Sequence, residues 1–290
     1  MSPHKNARTR AVAPLLALPL VLALTAPVAA AAGSDDPIPA VPSPSAVADF
    51  SHPTRIDNRF FPLVPGTKWV YEGSVTEAGE TVQHTIVFTV TSLRKVIDGV
   101  STRVVWDVDY ADGELEESEL AFFAQDDDGN VWNFGEYPEE YADGAFEGAP
   151  SLWITGMAGA KGGPHMLADP EVGDAYEEGL VRSIEFYDVS EVASTDVRTC
   201  VPEDCYNNVL YVKETSPLDE TGGTQTKYYA PHVGLVRIGA IGGDAQERMT
   251  LRSVGKISDD ALDRVDREAR RLDEHGREIS NLYARTNPVK

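Results

Sequence analysis

The sequence predicts a mainly β protein: one antiparallel, strongly curved sheet or half-barrel with a single C-terminal α-helix packed on it. Three observations predict this. Runs rich in Val, Ile, Thr, Tyr, Phe and Trp recur between residues 58 and 257, broken about every 8 to 12 residues by turn chemistry. The breaks are dipeptides such as Ala78-Gly79, Asp98-Gly99, Asp112-Gly113, Asp128-Gly129 and Gly222-Gly223, which join neighbouring strands too tightly for a parallel crossover. Helical periodicity is confined to residues 258–290.

Taken in order, residues 1–32 read as a secretory signal peptide. Lys5, Arg8 and Arg10 make a positive start, Ala11 to Leu24 is apolar but broken by Pro14 and Pro19, and Ala26 to Ala32 offers A-x-A cleavage sites. The broken run lacks the roughly 20 uninterrupted apolar residues of a membrane span. Thr9 separates the two arginines, which argues for a Sec-type and not a twin-arginine signal, and no cysteine near the cleavage site offers a lipid anchor. The expected location is secreted and extracellular. Residues 33–57, with Pro37, Pro39, Pro42 and Pro44, read as a Pro/Ala/Ser-rich leader in which neither helix nor strand persists.

Within the β domain, 58–257, the expected strands are Thr67–Val75, Val82–Leu93, Thr102–Tyr110, Glu114–Gln125, Val131–Phe134, Val181–Val189, Val192–Cys200, Asn208–Thr215, Thr224–Ala230, Leu235–Ala240 and Glu247–Val254. Alternation places Ile86, Phe88 and Val90 on one face. That face must be covered by a second sheet, by the sheet's own curvature or by a helix. Between residues 156 and 163 glycine and alanine crowd together ahead of Pro164-His165-Met166, which reads as a long mobile loop and the first place to look for a ligand.

Ser258 is the expected N-cap of the helix, followed by Asp259 and Asp260 at its positive end. Leu262, Val265, Ala269, Leu272, Ile279 and Tyr283 form a narrow apolar stripe in which Gly276 is skipped. Asp260, Asp263, Asp266 and Asp273 each have an arginine four residues on, at a spacing that weakly supports a helix. The stripe either docks on the sheet or pairs with another chain.

The formal charge of −22 disfavours nucleic acid and anionic membranes as partners, because both demand a basic footprint. The 47 acidic residues, against 25 basic, also make paired carboxylates uninformative as a catalytic signal. Cys200 and Cys205 are the two cysteines of an exported chain and are expected to close a disulfide across a hairpin. Asp126, Asp128 and Asn130 resemble part of a calcium loop, with Gly129 at the required turn position. Ala124 and Gly135 stand where the first and last ligands belong, so a plain hairpin turn competes with calcium as the only cofactor in view. The histidines show no zinc spacing, and no nucleophile elbow or phosphate loop is present.

Four phrases carry a resemblance. Asn58-Arg59-Phe60-Phe61-Pro62-Leu63 running into Pro65-Gly66-Thr67-Lys68-Trp69-Val70-Tyr71-Glu72-Gly73 is the first, and Ala124 to Trp132 the second. Asp169-Pro170-Glu171-Val172-Gly173-Asp174 and Lys227-Tyr228-Tyr229-Ala230-Pro231-His232-Val233-Gly234-Leu235-Val236 complete the set. Together they resemble an uncharacterised family of exported bacterial β-rich proteins with no assigned reaction. His232 stands where that family tends to have glycine. The resemblance implies export and a β fold.

The expected role is a secreted, non-catalytic, ligand-holding β domain for a small apolar or carbohydrate ligand. The alternatives are a secreted carbohydrate-active hydrolase using two carboxylates, and a structural module associating through its C-terminal helix. The oligomeric state is left open.

Overall fold

A computed structural model describes residues 48–219 and 221–290. The expected signal peptide and the leader up to residue 47 lie outside these. The strands are β1 Thr67–Glu77, β2 Glu80–Ile97, β3 Val100–Ala111, β4 Glu114–Gln125, β5 Val131–Ala142, β6 Ala145–Gly148, β7 Trp153–Ile154, β8 Lys161–Gly162, β9 Pro164–Met166 and β10 Ala175–Val181. They continue as β11 Phe186–Cys200, β12 Cys205–Thr215, β13 Thr224–Ala230, β14 Gly234–Ile241 and β15 Ala245–Lys256, followed by helix α1, Asp259–Ile279. The fold is the antiparallel curved sheet with one C-terminal helix that the sequence predicts.

Each tight turn leads the chain back beside the strand it has just left. The meander β1 to β6 and the meander β10 to β15 join where β1 pairs with β15, giving one continuous sheet. Ala78-Gly79, Asp98-Gly99 and Asp112-Gly113 all take positive φ, as a two-residue hairpin whose twist matches its strands requires. At the far edges, Gly162 of β8 pairs with Gly179 of β10, while Pro164 and Met166 of β9 pair with Trp132 and Val131 of β5. The segment 161–166 therefore bridges the two ends of the half-barrel, so the end of the stretch the sequence marks as a mobile loop, together with Pro164–Met166, is sheet, while 155–159 is a turn. No side chain could stand at Gly162 or Gly163: a Cβ would lie 2.1 Å from the Asn133 and Glu177 carbonyls respectively. The glycines are there for close backbone approach, and glycine content alone does not distinguish that from mobility.

The boundary the sequence places between Val189 and Val192 is absent, because β11 runs straight through it. The real turn is at Arg182–Ile184, closed by Glu185 at φ 58°. It has no glycine or proline to announce it. The chain also leaves the leader earlier than residue 57. Phe50 packs edge-on against Trp132 and Phe134, and the Asp49 and Pro53 carbonyls accept from the Asp127 and Gln125 amides.

Curvature of the sheet covers the face carrying Ile86, Phe88 and Val90. Side chains from opposite arcs, among them Leu210, Val236 and Leu251, meet there in one apolar core, into which Phe60, Phe61 and Leu63 of the preceding segment also press. Helix α1 lies on the outer face, where Ala269 and Leu272 pack with Leu93, Leu120, Phe122 and Tyr137. Ser258 caps it, accepting from the Ala261 amide. Gly276 lets the helix approach the Tyr137 ring, since a Cβ there would fall 2.4 Å from Cζ. Two of the four aspartates expected to pair along the helix turn inward instead. Asp266 accepts from the Ser92 amide and hydroxyl. Asp273 accepts from Lys95 Nζ at 2.6 Å, the Tyr283 hydroxyl at 2.8 Å and the Val289 amide at 3.2 Å. The stripe alone undercounts the docked face, because charged residues with waiting partners bury too, and Ile279 stays largely exposed.

Candidate functional site

Cys200 and Cys205 are joined in a disulfide across the end of β11 and β12. The 126–130 turn uses its polar atoms internally. Asp126 Oδ1 accepts from the Asn130 amide at 2.7 Å, and Oδ2 accepts from Asn130 Nδ2 and Trp132 Nε1. Asn130 Oδ1 accepts from the Ala168 amide. Asp128 is exposed. Gly129 takes φ 95° and its amide donates to the Asp126 carbonyl. Among the described residues, no group of three or more His, Cys, Asp or Glu converges as metal ligands would.

Aromatic residues that could have lined a groove are divided by strand alternation. Trp69 and Tyr71 face the interior, where Trp69 Nε1 and the Tyr71 hydroxyl donate to the Val233 and Leu235 carbonyls. Trp153 stacks on Phe186. Between Phe61, Trp69, Tyr71, Phe88, His165 and Tyr229 the structure leaves a cavity of about 10 Å³, room for about one water molecule. His232 is exposed at φ 63°, a backbone conformation that favours the glycine the resembling family tends to carry there.

Beyond that apolar region, the same inward face becomes acidic. Alternation dictates it: Val105 and Ala121 face the core, so Asp107 and Asp109 on β3, and Glu117 and Glu119 on β4, face the same way. The register sets Asp107 directly against Glu119, and Asp109 against Glu117, with Glu136 opposite Ala121 on β5. On the facing arc, β12 and β13 present Glu214 and Lys227, and β10 and β11 present Glu178 and Asp188. The arcs meet: Glu247 of β15 lies close enough to Lys227 and Asp107 for both to act on its carboxyl, and Asp188 and Lys227 act on Glu136. All of these side chains are buried, Glu119 completely.

Burial disfavours the charged form of each carboxyl, and its neighbours add repulsion. Asp107 is pushed up to about 7, Glu136 and Glu247 to about 8, and Asp109, Glu117 and Glu119 well above the usual range. The arc that holds Lys227 differs. Lys227 Nζ donates to Glu214 at 2.7 Å, and the surrounding carboxylates outweigh its burial and raise its pKa. Burial would raise Glu178 as well, but His165 beside it at 2.7 Å and the charge of Lys227 hold it down near 2. Opposite this cluster, both oxygens of Glu119, Oδ2 of Asp107 and Oε1 of Glu247 have no hydrogen-bond partner among the described residues, and neither does Nε2 of His165. An unmet buried carboxylate is costly, so the unpartnered arc is the part of the fold least explained by stability.

The sequence contains a signal for this site that counting acidic residues hides. Asp107/Asp109 and Glu117/Glu119 alternate with Trp106, Val108 and Leu120 at a period of two. Such alternation gathers the four carboxyls on one face of their strands, and the curvature of the sheet then encloses that face.

Comparison with known proteins is sparse. No family profile matches the chain, and no curated protein matches it. Among solved structures, it is similar to a protein assigned as exported, with a YmcC-like fold, from Bacteroides fragilis NCTC 9343. The match has 14% identity and a TM-score of 0.39, and covers 69% of this chain and 100% of that one. It is also similar to one assigned as a lipoprotein from Parabacteroides distasonis ATCC 8503, with 14% identity, a TM-score of 0.34, and coverage of 68% of this chain and 99% of the other. Among the described residues, no helix is long and apolar enough to cross a membrane.

Proposed function

We propose that this chain is an exported, non-catalytic protein that holds a small ligand in the acidic part of its interior. The observation that carries the proposal is the unpartnered arc. Glu119 is wholly buried with neither oxygen hydrogen-bonded, and Asp107 stands directly across from it with one oxygen equally unmet. Export rests on the charged, apolar, alanine-terminated opening of the sequence. An apolar ligand is a poorer fit, because Phe61 and Leu63 already fill the apolar end around a cavity of about 10 Å³. A hydrolase using Asp107 and Glu119 would need one of the pair kept charged as base or nucleophile, but burial and neighbouring carboxyls raise both. Association through the helix would have to expose Ala269 and Leu272, both packed against the sheet.

The test is native mass spectrometry of the protein recovered from the medium of its own host, compared with the same sample denatured. An added mass lost on denaturation is expected. The bare chain mass under native conditions, in material never exposed to acid or chaotrope, would overturn the reading.

A further inference from the structure

Among the described residues, Lys227 is the ammonium on the inward face, and its surroundings show what the other buried carboxyls there lack. Lys227 Nζ sits among Glu214, Glu178 and Asp188, completely buried, with its charge kept by the carboxylates around it. On the facing arc, Asp107, Asp109, Glu117 and Glu119 repeat that environment on β3 and β4 with no cation against them among the described residues, while Glu247 of β15 feels both Lys227 and Asp107. Among the described residues, four oxygens of this arc have no donor, both of Glu119 and one each of Asp107 and Glu247, and Oε2 of the half-buried Glu116, 3.5 Å from His84 Nε2, is a fifth. His84, whose ring nitrogens make no hydrogen bond, is lowered by burial and so adds no charge to compensate.

We propose that this arc binds a primary ammonium group carried by a small alkylamine, of the polyamine class. The proposal rests on the ligand-holding reading above and names its ligand. An –NH₃⁺ group offers three donors and no acceptor, which matches an arc of acceptors without donors. Hydrogen bonds between ions are the strong ones, and they grow stronger where water is excluded. The carboxyls are spread over three strands and do not converge as metal ligands. An amine on a flexible chain can meet such a spread, because several ammonium groups on one molecule engage separate carboxylates. Glu116 and Glu140 are half-buried and act on Glu117, so the solvent-facing carboxyls of the arc lie on that side.

The experiment is calorimetry and thermal melting of the exported chain at pH 8 in low salt. The probes are spermidine, Nα-acetyl-lysine methylamide, calcium chloride and, at matched ionic strength, sodium chloride. The wild type is compared with Asp107→Asn/Glu119→Gln, which removes charge from the arc while keeping its volume. Spermidine is expected to raise the wild-type Tm by about 5 °C or more at millimolar concentration, and to bind the double variant at least about tenfold more weakly. The lysine derivative should bind detectably but less tightly, since it carries one ammonium. Equal spermidine binding by variant and wild type would place the amine on the acidic exterior and overturn the proposal. So would stabilisation by calcium alone. A neutral ligand found on the native protein, with affinity unchanged in the double variant, would leave the holding reading standing while removing the ammonium assignment. No response to any amine in a ligand-free sample would remove the assignment as well. Circular dichroism of the double variant checks that it is folded, and the repulsion it relieves makes it at least as stable as the wild type at this pH.

Discussion

The two faces of the sheet bury the same chemical group in opposite ways. On the outer face, under helix α1, Asp273 accepts from a lysine, a tyrosine and a backbone amide, and Glu139 accepts from Tyr137, Tyr141 and His275. On the inner face, Glu119 accepts from nothing. The outer carboxylates fasten the helix and the C-terminal tail, whose Lys290 pairs backbone to backbone with Arg94. The inner ones destabilise the empty fold at neutral pH. A buried carboxylate is thus read by its donors and not by its burial, and the contrast separates carboxyls that fasten elements together from carboxyls left without donors among the described residues.

The largest effect comes from breaking a satisfied outer carboxylate. Lys95 is fully buried between Asp273 and the rings of Phe122 and Tyr283, 4.3 Å from the centre of the latter. Lys95→Met leaves Asp273 charged and short of its cation, and is expected to cost about 3–5 kcal/mol in urea unfolding. Adding Asp273→Asn, which keeps an acceptor for Tyr283 and Val289, should recover much of that loss. If Lys95→Met cost nothing, the outer pair would not be a fastening and the contrast would fail.

Next is the pH dependence, which belongs to the inner face. In the unfolded chain these carboxyls return to 3.8 or 4.5, whereas folded Asp107 and Asp188 lie near 7 and Glu136 and Glu247 near 8. The folded state therefore holds more protons between about pH 4 and pH 8, so stability falls as pH rises through that window. Glu178, near 2, acts the other way: its contribution is present above 4.5 and is lost only as pH falls toward 2. The ligand-free protein should melt about 10 °C higher at pH 5 than at pH 8.5. A flat or opposite profile would mean that the inner carboxyls are solvated or already paired.

A matched pair of substitutions sharpens the comparison further. At pH 8, Glu119→Gln replaces a carboxyl that has no donors among the described residues and is crowded by other carboxyls, and is expected to leave stability unchanged or raise it by about 1–2 kcal/mol. Glu139→Gln turns an amide toward three donors and is expected to lower it by about 1–3 kcal/mol. Both are read from urea midpoints, and equal signs would erase the distinction between the faces.

How far the sequence reveals all this follows from the length scale of each signal. The hairpins at Ala78-Gly79 and Asp112-Gly113, the strands Glu114–Gln125 and Thr224–Ala230, and the Ser258 cap are local, and they are legible residue by residue. The turn at Arg182–Ile184 has no punctuating residue, and Gly162 and Gly163 are small because of contacts with strands distant in sequence. The acidic chamber is harder still. Asp107 and Glu119 show their period within each strand, but which face is enclosed depends on the curvature of the whole sheet and on the helix taking the outer side. Lys227 is separated from Asp107 by most of the domain's sequence, and the two come to act on one carboxyl, that of Glu247, only once β1 and β15 join the two meanders.

The smallest expected effect concerns the other acidic cluster, Asp126-Asp127-Asp128, and it tests whether donor count decides function at the surface as it does inside. Asp126 has both oxygens committed to N–H donors, and Asp127 accepts from the Ser51 amide and hydroxyl, which ties the segment before β1 to this turn. Calcium would have to displace those donors, and in return the turn would lose the bonds that set its shape and the Trp132 anchor. Millimolar calcium and excess chelator should therefore give the same Tm within about 1 °C. Asp126→Asn, which weakens acceptance without changing size, should lower the Tm in both conditions alike. A calcium-dependent rise in Tm, abolished by Asp126→Asn, would show that satisfied carboxylates can still be recruited by a cation. The unpartnered state of Glu119 would then lose its value as a marker.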